Sequence, residues 1–174
     1  MAITPADQNT RAVVSGDINS DGNLDLITGN TGINHVYLGD GAGAFDAGAD
    51  LTSANKSTYA LALGDIDNDG DLDVISGNYL RQPNQIFIND GAGGFTQGTL
   101  VSTDSGNTRA IAAGDVDSDG DLDIISVNDG IGSSGDGDTN RLSLNGSGYT
   151  VTLTVTDNEG ATASTTEFIN VSGN

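Results

Sequence analysis

The sequence predicts an all-β chain of three consecutive four-stranded units, and three observations predict it. Composition is the first: 26 Gly, 2 Pro, no Cys and no Trp among 174 residues, with abundant Thr, Asn, Ser and Asp, suits short strands joined by many turns. The second is a repeat. GDINSDGNLDL (16–26), GDIDNDGDLDV (64–74) and GDVDSDGDLDI (114–124) are nearly the same string, and their first aspartates stand at 17, 65 and 115. Third, the stretch after each string is apolar on both faces of a strand. Leu26 and Ile27, Val74 and Ile75, and Ile124 and Ile125 are adjacent pairs, whose side chains point opposite ways in extended chain.

The elements of a unit follow in order. TRAVVSGD (10–17), TYALALGD (58–65) and TRAIAAGD (108–115) form a first strand that leads into the acidic string, which is a loop. LDLITGN, LDVISGN and LDIISVN form the second strand. NHVYLGDGAGAFDAG (34–48) matches NQIFINDGAGGFTQG (84–98): a third strand, a Gly-rich hairpin, and a fourth strand from the Phe onward. A second strand buried on both sides, in a chain without helices to cover it, must lie between two other sheets. That is the geometry of stacked β-propeller blades, whereas a β-sandwich strand would carry one polar face.

The chain therefore divides into blade 1 (1–56), blade 2 (57–107), an incomplete blade 3 (108–148) and a tail (149–174). In the tail, Tyr149, Val151, Leu153 and Val155 alternate with threonines, Asp157 to Gly160 make a turn, and Thr165 to Val171 make a second strand. An isolated hairpin is marginal in water, so this one is expected to finish blade 3. Three blades fall short of the four to eight that close a propeller. The expectation is a partial propeller, or one completed by homo-oligomerisation.

Charge narrows the partners. The formal net charge is −20, from 25 acidic and 5 basic residues, so nucleic acid and anionic membrane surfaces are repelled. The three strings hold 13 of the acids, three in the first and five in each of the others, so the charge is concentrated in loops instead of spread as a solvating face. No run approaches the roughly 18 apolar residues of a membrane span, and the start MAITPADQNTRAVV has no basic segment followed by an apolar one.

Asp-x-Asn/Asp-x-Asp-Gly-x-x-Asp presents side-chain oxygens at positions 1, 3, 5 and 9 and a backbone carbonyl at position 7, the hard oxygen set that Ca²⁺ takes. Gly at position 6 allows the tight turn. Counting assigns Asp17, Asn19, Asp21, Asn23 (carbonyl) and Asp25 to a first site. The second takes Asp65, Asp67, Asp69, Asp71 (carbonyl) and Asp73, and the third Asp115, Asp117, Asp119, Asp121 (carbonyl) and Asp123. Asn19 leaves the first site one charge poorer, so it should bind most weakly. An EF-hand would need a Glu at position 12, where Thr28, Ser76 and Ser126 stand.

This set of acidic loop, apolar strand and GDGAGAF or NDGAGGF hairpin resembles the FG-GAP/VCBS repeats of integrin-like β-propellers, over about residues 8–150. The resemblance implies a calcium loop joining the first two strands of each blade, a metal with a structural role, and an extracellular or cell-surface protein serving adhesion. The ligand would be a protein or a glycan. YTVTLTVTDNEG in the tail resembles the closing hairpin of a PKD-type immunoglobulin-like domain.

Little points to catalysis. His35, the only histidine, starts a strand and reads as a surface or strand-end residue; no Cys exists, and no Ser sits in a G-x-S-x-G elbow. A non-enzymatic protein is expected; the competing readings are a propeller module of a secreted polysaccharide-degrading enzyme and a structural spacer. Tyr37 and Phe87, at matching third-strand positions, read as packing between blades, although with Tyr79 they are the aromatics available to a sugar. Asn55, Asn145 and Asn170 open N-glycosylation patterns.

Overall fold

The computed structural model describes residues 9–52, 56–96, 98–101, 106–129 and 140–145, together with the strand backbones at 153–156, 162–165 and 167–169. The described residues are all strand and turn, without a helix. No helix long and apolar enough to cross a membrane is found among them.

Unit 1 contains β1 (Asn9–Gly16), β2 (Asp25–Gly32), β3 (His35–Tyr37) and β4 (Ala49–Asp50), each antiparallel to the next. Unit 2 repeats this with β5 (Lys56–Gly64), β6 (Asp73–Asn78), β7 (Gln85–Phe87) and β8 (Thr99–Leu100). In unit 3, β9 (Thr108–Gly114), β10 (Asp123–Asn128) and β11 (Arg141–Asn145) are again antiparallel. The tail supplies β12 (Leu153–Thr156) and β13 (Thr162–Thr165), which pair with each other, and β14 (Glu167–Ile169), which lies parallel to β11. Tyr149, Val151 and the turn Asp157 to Gly160 lie outside the described residues.

Two details depart from a stack of separate blades. β3 covers only Leu26 to Thr28 of β2, so the end of β2 is free on that side and takes β5 through Thr31↔Ser57 and Gly32↔Lys56. Units 1 and 2 thereby share one continuous hydrogen-bonded sheet. The fourth strand is also shorter than the sequence suggests. Phe45 and Phe95 make single bridges to Gly39 and Asn89, and regular pairing resumes only at β4 and β8.

Packing runs between units, as the doubly apolar second strands require. Ile18, Ile27 and Val36 of unit 1 share a core with Leu61, Val74 and Phe87 of unit 2. Ile66, Ile75 and Ile86 of unit 2 share the next with Ile124 of unit 3. First strands lie side by side, β1 against β5 and β5 against β9. The close approach depends on Gly29 and Gly77: a Cβ added at either would stand 2.8 Å from the methyl of Thr58 or Thr108 in the following unit. Asn34 and Asn84 then bond the hydroxyls of those same threonines, at 2.9 and 3.0 Å.

Candidate metal centre

Each acidic loop leaves a first strand and turns back into a second, and its own carboxylates fold it. Asp17 accepts the N–H groups of Asp21 and Gly22, Asp65 those of Asp69 and Gly70, and Asp115 those of Ser118 and Gly120. The position-5 aspartates Asp21, Asp69 and Asp119 each accept the N–H two residues on, at 2.8 to 3.0 Å. Gly22, Gly70 and Gly120 have φ of 85°, 97° and 98°, as the turn argument expects. Position 4 was not singled out by sequence, yet Ser20, Asn68 and Ser118 are left-handed too, with φ of 57°, 60° and 65°. Short polar residues tolerate that region best, which is the signal that could have found them.

The position-9 aspartates are the most deeply placed. Asp25, Asp73 and Asp123 are fully buried. One oxygen of each accepts the N–H of Ile18, Ile66 or Val116 at the loop start, at 2.8 Å. The other accepts from the third-strand end, at Gly39 (2.7 Å), Asn89 (2.9 Å) or Asn145 (2.9 Å). These residues therefore staple strand to loop as well as facing the site. Burial raises the Asp73 carboxyl to about 6, against the lowering effect of its bonds from Asn89 and Ile66.

In loops two and three the carboxylates at positions 1, 3 and 9 converge. Asp65, Asp67 and Asp73 bring carboxylate oxygens within 4.8 Å of one another, and so do Asp115, Asp117 and Asp123. Desolvation first, and the nearby Asp69 next, hold the Asp67 carboxyl above the ordinary range; desolvation also raises Asp117. Asp67 Oδ1 is buried without a hydrogen-bond partner. Negative oxygens this close repel unless a cation sits among them, so both triads could hold a metal ion.

The first loop differs. Asn19 donates from its amide to Asp21 Oδ2 at 3.2 Å, and its carbonyl oxygen accepts the Asp21 N–H at 3.3 Å. Asp21, held down chiefly by the Asn23 N–H, sits below the ordinary carboxyl range. At position 7, the side chains of Asp71 and Asp121 turn to neighbouring loops, where Ser20 donates to Asp71 at 3.4 Å and Asn68 donates to Asp121. Their carboxylates link loop to loop, a role sequence reasoning did not assign.

Other singled-out residues find different places. His35 starts β3 but is buried, with Nδ1 3.1 Å from Asp50 across the β3–β4 pair. Tyr37 and Phe87 are buried, and Phe87 packs in the core shared by units 1 and 2. Asn145 cannot present its amide to a glycosylating enzyme: it is buried and donates to the Ile66 carbonyl at 2.8 Å. Asn55 and Asn170 lie outside the described residues.

Tandem four-stranded units, each with an acidic loop between its first and second strands, define a β-propeller-type repeat scaffold. The family model of the FG-GAP-like repeat matches residues 17–76 and again 65–126. The chain belongs to the FG-GAP-like repeat family. No match is found among curated proteins.

Proposed function

We propose that this protein is a calcium-stabilised, non-catalytic scaffold of an extracellular or cell-surface protein, whose outer surface engages a protein or glycan in adhesion. One observation carries the metal reading: two equivalent triads of carboxylates converge at the turn between first and second strands, with an uncompensated oxygen on Asp67. All-oxygen donors on a flexible loop favour Ca²⁺ over the smaller Mg²⁺, which demands near-ideal octahedral geometry. Asp65, Asp67, Asp69 and Asp73, with the Asp71 carbonyl, would hold one ion. Asp115, Asp117, Asp119 and Asp123, with the Asp121 carbonyl, would hold another. The first loop, with Asp17, Asn19, Asp21, Asp25 and the Asn23 carbonyl, would hold a third more weakly.

Bound there, the cation ties the start of the second strand to the end of the first and, through the position-9 aspartate, to the third. Its role is to rigidify units whose cores are shared with their neighbours. Loop sites of this openness suit the high calcium concentrations outside cells, and the repeat family supplies the adhesion context.

Thermal unfolding with Ca²⁺, with Mg²⁺ and with chelator tests the reading. A midpoint several degrees higher in Ca²⁺ than in chelator, and little raised by Mg²⁺, is expected; coincident Ca²⁺ and chelator curves would remove calcium from the account.

A further inference from the structure

The first strands carry a repeated irregularity at their ends remote from the acidic loops. Pairing shifts between Thr10 and Ala12 in β1 and between Thr58 and Ala60 in β5, and opposite Val127/Asn128 in β9. The residues left out of register are Arg11, Tyr59 and Arg109, one in each unit at the same repeat position. A bulge re-aims a side chain, and here it aims three into one cluster. The Arg11 guanidinium lies 5.3 Å from the Tyr59 ring centroid and that of Arg109 lies 5.2 Å from it. Tyr59 stacks on Tyr79 at 4.6 Å, and Arg109 also sits 4.4 Å from the Tyr79 centroid and bonds its hydroxyl at 3.2 Å.

Beside the cluster, Leu80 and Arg81 are exposed and both left-handed, with φ of 56° and 57°. They are the central residues of a turn closed by the Gln82 N–H on the Tyr79 carbonyl at 3.2 Å, with the Arg81 N–H bonded to Asn107 Oδ1 at 3.2 Å. Arg109 is partly committed, to Asp129, but Arg11 is exposed and makes no ion pair among the described residues. Three of the chain's five basic residues thus share one edge, about 20 Å along the strands from the acidic loops.

We propose that this edge binds an acidic polysaccharide of the uronic-acid type, with Arg11 and the remaining N–H groups of Arg109 taking carboxylates and the exposed Leu80 meeting a sugar C–H face. The proposal rests on the scaffold reading and names its ligand class. Arg11, with no ion pair among the described residues, keeps its fork for a carboxylate, whereas Arg109 has committed its Nε–H to Asp129 and one Nη2–H to Tyr79 and offers what remains. In a chain of net charge −20, a polyanion can approach only where the basic residues gather. The arginines stand at one position of units 1 and 3 and flank Tyr59 of unit 2, so the edge offers two neighbouring charges to a polymer of repeated carboxylates. An extended acidic peptide would dock by main-chain pairing along a strand edge, and bulges in all three first strands spoil that ladder.

The test is calorimetry of the full calcium-loaded chain with a hyaluronan decasaccharide, against a neutral maltooligosaccharide of similar length and poly-L-glutamate of matched charge. Hyaluronan binding is expected, with none to the neutral glucan and weaker binding to polyglutamate. Arg11→Ala should weaken hyaluronan about tenfold or more, the loss of a charge-assisted pair. Arg11→Lys, which keeps the charge without the fork, should weaken it severalfold. No hyaluronan binding, polyglutamate binding as tight, or an Arg11→Ala affinity equal to wild type overturns the proposal. Melting curves on the same samples separate the two readings: a calcium-dependent midpoint without hyaluronan binding overturns the ligand alone, and absence of a calcium effect overturns the metal reading. The exposed position of Arg11 in β1 lets both variants fold, and those curves verify it.

Discussion

The first acidic loop and the other two share a backbone and differ in how they resolve their own charge. In loop one, Asn19 fills position 3 and bonds Asp21 through both its amide and its carbonyl oxygen. In loops two and three that position is Asp67 or Asp117, drawn into a cluster of carboxylates, with one Asp67 oxygen buried and unpartnered. One amide in place of one carboxylate changes a loop of clustered, incompletely partnered carboxylates into one that partly satisfies itself. On the proposed metal reading, metal affinity and metal-free stability are opposed at position 3, while position 9 serves the fold in all three loops alike.

That division gives the largest predicted effect. Asp73→Ala would orphan the buried N–H groups of Ile66 and Asn89. At about 1–3 kcal/mol for each unsatisfied donor, the loss should reach roughly 3–5 kcal/mol in denaturant unfolding, with chelator present as well as with calcium. Asp25→Ala in the first loop should cost a similar amount. A much smaller loss there would break the view that position 9 is a staple independent of metal.

A second contrast lies between the unit interfaces. Gly29 and Gly77 admit Thr58 and Thr108, whereas unit 3 carries Val127 at the corresponding place, 42% exposed. Val127 therefore puts an exposed side chain where Gly29 and Gly77 leave room for the threonine of the following unit. Unit 1 likewise has Gly39 where Asn89 and Asn145 donate to the carbonyls of Ile18 and Ile66 in the preceding unit. Gly77→Ala should cost about 1–3 kcal/mol by overpacking against Thr108. Val127→Gly should cost far less, and sedimentation should show whether it promotes association through that face.

At position 3 itself the exchange should run both ways. Asp67→Asn is expected to lower calcium affinity of the second site about tenfold and to raise the melting point in chelator. Asn19→Asp should strengthen the first site by a comparable factor and lower that melting point. Calcium titrations and paired melts of the two variants measure both; parallel movement of affinity and chelator stability would contradict the opposition.

Much of this was legible in the sequence because it is carried by repetition and period. The threefold string, the doubly apolar second strands and the Gly-rich hairpin fixed strand order and the location of the acidic sites. What stayed hidden depends on neighbours. Nothing local distinguishes Asp73 as a staple from Asp69 in the same loop, since one of the bonds that hold Asp73 comes from Asn89, sixteen residues away. His35 looked like a strand-end surface residue because the partner that covers it, Asp50, arrives with β4. The Arg11, Tyr59 and Arg109 cluster was obscure for the same reason: bulges shift register by one residue, and the strand period alone would have turned those side chains elsewhere.

The contrast between position 9 and the loop also predicts a pH dependence that calcium should reverse. With Asp73 raised to about 6 in the folded protein against an unfolded value near 3.8, the metal-free folded state holds an extra proton between those limits. Stability rises with pH only where the unfolded state binds more protons, so here it should fall as pH rises from about 4 to about 6. Other carboxylates act in the opposite sense: Asp40 and Asp90, held down by hairpin N–H groups, favour higher pH. The Asp73 contribution is therefore best read as a difference between wild type and Asp73→Asn in chelator. Adding calcium favours the ionised carboxylate, so the wild type should regain stability towards neutral pH while the variant gains less. If the wild-type-minus-variant difference in chelator instead grew with pH, the buried acid would be ionised without metal, and the staple would be as charged as the loop it anchors.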